Sequence, residues 1–180
     1  MRLRRLSDDV FVADAPIVRL GQTELDLVRR QAAASPRKRA RICAHHENSE
    51  AVHEMLIAMA ADSYIHPHKH LDKGESFHVV EGQVDVVVLD DDGQVSDVIE
   101  MGEIDSGRSF FYRLSDRRYH TLLIRTDMLV VHEVTRGPFD PEATLLAPFA
   151  PPEHDRERAA GYMRGLAGRA ADWRRARLPR

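Results

Sequence analysis

Residues 62–82, DSYIHPHKHLDKGESFHVVEG, constrain this chain more than any other stretch. His66, His68 and His70 alternate with other residues. In an extended strand alternate residues share a face, so the three imidazoles can look into one space. Glu75 follows five residues after His70, and Gly82 seven after that, where a strand should turn back. Two imidazoles from one strand and a carboxylate from the next can converge on a divalent cation and leave coordination positions open. A polar strand face alone would also place histidines at even spacing, so the added glutamate and glycine carry the argument. The spacing to Glu75 favours His68 and His70 as the ligand pair, with His66 lining the cavity. The pair His66 and His68 is the alternative.

The segments around this stretch read as strands. VHEMLIAMA (52–60), SFHVV (76–80), VDVVVLD (84–90), QVSDVIEM (94–101), RSFFYRL (108–114), YHTLLIR (119–125) and MLVVHEV (128–134) are short, β-branched or aromatic, and separated by turn residues. The Asp-Gly pair in the acidic turn 91–93 is a strong hairpin signal. Many short strands without alternating helices predict an all-β, antiparallel sandwich or barrel. Strand parity puts Phe77 and Val79 on the face of Glu75 and turns His78 away. His132 and Glu133 alternate, so only one of them can face inward.

Residues 1–21 form a predicted arm with a short strand at VFVA (10–13). A helix follows from Thr23 to Ala34, with Leu25, Val28 and Ala32 on one side and Ser35-Pro36 as its stop. PRKRAR (36–41) reads as a basic loop, which is usually solvated but can also hold an anion through arginine. GPFDPEATLLAPFAPPEH (137–154) reads as an irregular apolar arm. Residues 154–180 form a basic and helical tail with Met163, Leu166, Ala170 and Trp173 along one stripe. Residues 156–180 hold eight arginines against Glu157 and Asp172, a net of +6, while the rest of the chain carries −9. That acidic remainder argues against a nucleic-acid partner. The single cysteine, Cys43, excludes an intramolecular disulfide and suits a reducing cytoplasm. No run is long enough to span a bilayer, and the acidic residues Asp8, Asp9 and Asp14 interrupt any export signal.

The pattern His-x-His-x4-Glu-x6-Gly from His68 to Gly82 resembles the first motif of the cupins, small antiparallel jelly-roll proteins that hold a metal in the barrel. That motif opens with glycine six residues before its first histidine, where this chain has Asp62. The resemblance implies a third histidine from a later hairpin, and His120 is the candidate. The proline and glycine that precede it in the family fall here at Ser115 and Arg117. More narrowly, SPRKR (35–39), His45, SYIHPHKH (63–70), ESFHVVEG (75–82), YHTL (119–122), EVTRGPFDP (133–141) and LAPFAPPE (146–153) resemble the WbuC family of cupin-fold metalloproteins. The likeness covers residues 22–153, the expected cupin domain with its preceding helix. Members are associated with O-antigen and other surface-polysaccharide gene clusters. Two asparagines frequent in that family stand here as Arg41 and Cys43, which implies a different ligand if those asparagines touch one.

Together these readings imply one divalent transition metal (Fe, Mn, Ni or Zn) on His68, His70, Glu75 and His120. They also imply ligand contacts at Arg39 and His45, with His66, Tyr64 or Tyr119 available for proton transfer. The expected function is a metal-dependent enzyme, an isomerase or epimerase, acting on a sugar or sugar nucleotide. An Fe(II)-dependent oxygenase fits such ligands equally well. A non-enzymatic regulator that senses a small molecule is the reading from a different class, and a coordination shell closed by protein would favour it. A homodimer is expected from the apolar surface of VFVA, the 138–152 arm and the Trp173 stripe.

Overall fold

A computed structural model of the protein describes residues 2–177. Met1 of the predicted arm and residues 178–180 of the predicted tail lie outside the described residues. The strands are β1 (Leu3–Arg5), β2 (Val10–Ala13), β3 (Arg39–Cys43), β4 (Val52–Ala60), β5 (His68–His70), β6 (Glu75–Glu81), β7 (Gln83–Leu89), β8 (Val95–Gly102), β9 (Phe111–Leu114), β10 (Tyr119–Ile124), β11 (Met128–Arg136) and β12 (Thr144–Leu146). The helices are α1 (Gln22–Ala34) and α2 (Arg156–Arg175).

Strand pairing defines the architecture. β4 lies beside β11, β5 beside β10, β6 beside β9 and β7 beside β8, all antiparallel. The first of these eight strands therefore meets the last, the second meets the seventh, and so inward to the central hairpin, which is the pairing of a jelly roll. One sheet runs β1-β2-β3-β4-β11-β6-β9 and the other β12-β5-β10-β7-β8. The chain thus adopts the all-β, cupin-type jelly roll expected of it, with a helix before the barrel and another after it.

The alternation of residues explains the layers. Phe77, Val79, Val84, Val86, Tyr112, Leu122, Leu129 and Val131 point between the sheets and fill one end of the barrel. On the outer face of the larger sheet, Val28 and Ala32 of α1 pack on Ala40, Ile42, Leu56, Ala58 and Val130. The Gly21 amide donates to Glu24 Oε2 at 3.0 Å and starts this helix. On the outer face of the smaller sheet, Leu166 and Ala170 of α2 cover Val87, Leu89, Tyr119 and Leu123, with Trp173 packed beside them. Asp155 caps α2 by accepting from the Arg158 amide at 3.2 Å. Gly82 joins β6 to β7 at φ +86°, and any Cβ there would collide with the Met128 carbonyl oxygen.

Three expectations change. PRKRAR is not wholly a loop, because Arg39–Cys43 forms β3 between β2 and β4. Its alternation of arginine with Ala40 and Ile42 is that of a strand whose apolar face meets α1. The strand predicted at 108–114 begins only at Phe111, after the helical turn Ile104–Ser106. Of the surfaces expected to need a second subunit, two are covered within the chain, since Phe11, Val12 and Ala13 are buried and Trp173 packs on the barrel, while Phe139, Leu145 and Leu146 of the 138–152 arm stay exposed.

Candidate metal centre

The end of the barrel not filled by apolar side chains opens into a cavity of about 930 Å³. Both sheets contribute to it. His68 and His70 come from one face of β5, and His120, the cross-strand neighbour of His68, comes from β10. Glu75 opens β6 in the opposite sheet, between Leu114 and Thr135. The ligand atoms of these four residues lie within 4.8 Å of one another. His66 is not among them, although it lines the same cavity.

Each imidazole is pinned from behind. His68 Nδ1 lies 2.9 Å from the His66 carbonyl oxygen, and His120 Nδ1 lies 3.1 Å from the Arg118 carbonyl oxygen. A carbonyl only accepts, so these Nδ1 atoms carry the proton and Nε2 is left as a bare lone pair. His70 Nδ1 sits 3.0 Å from Thr144 Oγ1, which holds the orientation of its ring. The Nε2 atoms of His70 and His120 each lie 3.0 Å from an oxygen of Glu75. A lone pair facing a carboxylate at that distance is repulsive unless a proton or a cation stands between them. His120 Nε2 is buried and makes no hydrogen bond. Three nitrogens and a carboxylate, oriented in this way, fit a divalent transition ion.

The electrostatics agree with that donor set. Burial pushes the Glu75 carboxyl upward, but the His120 and His70 imidazoles outweigh it and hold the group well below its usual range. Burial also pulls His120 down, and the charge of Glu75 leads the influences that outweigh this, leaving it raised. Burial and the neighbouring His120 take His68 down to about 4. Tyr112 donates its hydroxyl to Glu75 Oε1 at 2.7 Å, and its own ionisation is pushed up by burial and by that carboxylate. Tyr112 is not among the residues that the sequence singles out. Only its parity on β9, alternating with Phe111 and Arg113, could have suggested an inward hydroxyl.

The other expected residues divide. Arg39 lines the cavity, but Glu153 holds its guanidinium at 2.9 Å, and it donates to the Tyr64 carbonyl oxygen at 2.8 Å. His66 Nε2 faces the Ala147 carbonyl oxygen at 3.0 Å. His45 lies outside the cavity wall, stacked on His53 at 4.1 Å with its Nδ1 on the Glu54 backbone, and burial lowers its pKa. Tyr64 turns its hydroxyl to the Pro151 carbonyl oxygen at 2.7 Å, and burial raises its pKa. Tyr119 packs beneath α2 and against Phe149, on the outer side of β10. Neighbours in a strand face opposite ways, so a Tyr119 adjacent to an inward His120 must point out. The structure therefore removes Tyr64, Tyr119 and His45 from the cavity wall. It adds Glu133, which lies on the inner face of β11 while His132 is turned toward Glu54, 3.6 Å away.

An eight-stranded jelly roll with such a cluster between its sheets is a cupin-type barrel with a candidate metal centre. The family model described as a domain of unknown function (DUF6016) matches residues 20–101, which include His68, His70 and Glu75. No curated protein matches the chain. Among solved structures, the oxalate decarboxylase of Bacillus subtilis is similar at 17% identity and TM-score 0.44, over 54% of this chain and 24% of that one. The chain thus spans about a quarter of the decarboxylase it matches. The cupin domain of Schizosaccharomyces pombe Cnp3 is similar at 12% identity and TM-score 0.43, over 55% of this chain and 64% of that domain. A Shewanella oneidensis protein is similar at 9% identity and TM-score 0.45, over 54% of this chain and 63% of that one. No helix among the described residues is long and apolar enough to cross a membrane.

Proposed function

We propose that this chain binds one divalent transition metal, Fe, Mn, Ni or Zn, through His68, His70, Glu75 and His120, and that it uses the metal on a small polar molecule. The observation that carries this reading is the convergence of inward-facing imidazole Nε2 atoms on one carboxylate, with each imidazole oriented from behind. A metal with this donor set keeps open positions at which it polarises a carbonyl or activates water. His66 is the candidate proton-transfer group: its Nε2 donates to the Ala147 carbonyl oxygen, which leaves Nδ1 able to take a proton. Arg39 forms part of the ligand-facing wall.

The reading extends to an isomerase or epimerase acting on a sugar or sugar nucleotide. The likeness to the WbuC family supports a place in surface-polysaccharide, O-antigen, biosynthesis, and the single cysteine supports a cytoplasmic setting. A homodimer belongs to the same proposal. Exposed Phe139, Leu145 and Leu146 of the 138–152 arm, with Val80, Phe110 and Phe111 at the β9 edge of the larger sheet, support it.

Metal analysis of protein purified without added metal tests the centre. Wild type should carry one ion per chain, while His70→Ala and His120→Ala should fall to background with circular dichroism unchanged. Full metal retention in both variants would remove the assignment.

A further inference from the structure

Two charged side chains in the cavity, Arg41 and Glu133, form no ion pair among the described residues. Arg41 lines the cavity and is exposed to it. No carboxylate among the described residues forms an ion pair with its guanidinium. The contrast with its neighbours is sharp, because Arg37 and Arg39 share Glu153 at 3.1 Å and 2.9 Å. Glu133 lines the same cavity and has no hydrogen-bond or ion-pair partner among the described residues. A carboxylate set into a protein wall without a partner is costly to hold, and water or a ligand in the cavity must supply what the chain does not.

The strand register shows why these two charges do not satisfy each other. Arg41 is level with Ile57 on β4, which is level with Val131 on β11. Glu133 occupies the next inward rung, level with Met55 and Cys43. Two strand spacings, about 9.6 Å, therefore separate their backbones, with a further offset along the strands. The interval lies over Ile57 and Met55, beside the metal cluster, and small polar groups of a ligand can occupy it.

We propose that Arg41 and Glu133 form a recognition subsite for an anionic, hydroxylated ligand: Arg41 takes a carboxylate or phosphate, and Glu133 accepts hydrogen bonds from a neighbouring hydroxyl. This rests on the proposed sugar-directed function and names the part of the site that selects the substrate class. It moves the anion contact from Arg39, whose fork Glu153 and the Tyr64 carbonyl already hold, to the arginine two places further along β3. The ligand then bridges both sheets, with its reacting end at the histidines and its anion at Arg41.

The test is calorimetric titration of metal-containing protein with glucuronate, with glucose 6-phosphate and with glucose, using wild type, Arg41→Met and Glu133→Gln. Methionine keeps the unbranched apolar stem of Arg41 without its charge, and glutamine is isosteric with Glu133. Wild type should bind at least one of the two anionic probes, and whichever binds identifies carboxylate or phosphate as the anion. Loss of one charge-assisted contact should weaken that probe about 10- to 150-fold in each variant. Arg41→Met should not change the response to glucose. Equal affinity of wild type and both variants for the anionic probes would overturn the subsite and leave the metal centre standing. Loss of metal from Glu133→Gln would also overturn it, by making Glu133 part of the cluster. Failure of wild type to bind any of the three probes would overturn the subsite together with the sugar-directed reading.

Discussion

Glu75 and Asp85 are buried carboxylates on consecutive strands, and the chain treats them in opposite ways. Asp85 faces outward from β7 beneath α2. Arg125 donates to its Oδ2 at 2.6 Å, Arg174 stands 3.3 Å away, and Arg108 faces Oδ1 at 3.5 Å. Permanent cations from a loop, a strand end and a helix surround it, and Arg174 also reaches Glu100 at 2.6 Å. Glu75 faces inward and meets imidazoles, which are cations only when protonated and metal ligands when they are not. The Asp85 cluster fastens α2 to the barrel. The Glu75 cluster leaves lone pairs aimed at a common point, an arrangement that suits the capture of an ion.

The comparison predicts different losses. Asp85→Ala would leave Arg125 without a carboxylate and Arg108 and Arg174 with Glu100 alone, and breaking a buried pair costs up to about 3–5 kcal/mol. Urea unfolding should show that loss, with metal content unchanged in the protein that remains folded. Glu75→Gln should do the reverse: metal near background, with a smaller loss of metal-free stability than Asp85→Ala, because the amide nitrogen can donate to the His70 imidazole while its oxygen accepts from Tyr112. If Glu75→Gln unfolded the protein while Asp85→Ala did not, the two clusters would have exchanged roles.

Glu133 sharpens the contrast as a third carboxylate, one with neither arginine nor imidazole bonded to it. Burial first, and then the charge of Glu75, pushes its pKa from 4.5 up to about 7. A raised carboxyl pKa means that the folded state holds the proton more tightly than the unfolded chain does. Its contribution to stability is therefore intact below about pH 4.5 and is lost as pH rises toward 7. Metal-free Glu133→Gln should match wild type near pH 4.5 and exceed it at pH 8 by on the order of 2 kcal/mol. Adding zinc should narrow the gap, because a bound dication offsets the charge of Glu75. Thermal unfolding at the two pH values, with and without zinc, measures both effects. A variant less stable than wild type at pH 8 without metal would show that Glu133 is held ionised by a partner.

Much of the barrel was legible because each strand alternates over a buried face, and the limits of β4 at residues 52–60 coincide with those read from sequence. β3 was missed because its inward positions are arginines, which resemble a solvated loop until the apolar partners Ala40 and Ile42 find α1. The four cluster residues were named from spacing and resemblance, and the structure brings them together. The outward direction of Tyr119 could have been read from its parity with His120. Tyr64 and His45 could not, since each is set by a loop or by a stacking partner distant in sequence. Asp85 passed unnoticed within a run of valines, because its three arginines come from residues 108, 125 and 174.

The smallest expected effect concerns Arg39, the residue that most invited an anion-binding role. Arg39 and Arg37 both meet Glu153, whose side chain is 35% exposed, so this strap across the cavity mouth lies close to solvent. Ion pairs of that kind contribute about 0–1 kcal/mol. Burial, the largest influence on the Arg39 guanidinium, and the nearby Arg37 both lower its pKa, and Glu153 only partly restores it. An incoming anion would have to displace Glu153 to gain this arginine, exchanging one carboxylate contact for another with little net return. Arg39→Ala should therefore weaken the bound anionic probe by less than about 3-fold, under ~0.7 kcal/mol, where Arg41→Met weakens it tenfold or more. It should also lower stability by no more than about 1 kcal/mol, because Arg37 still holds Glu153. A loss of ten-fold or more on Arg39→Ala would show that the strap opens on binding, with Glu153 releasing Arg39 to the ligand.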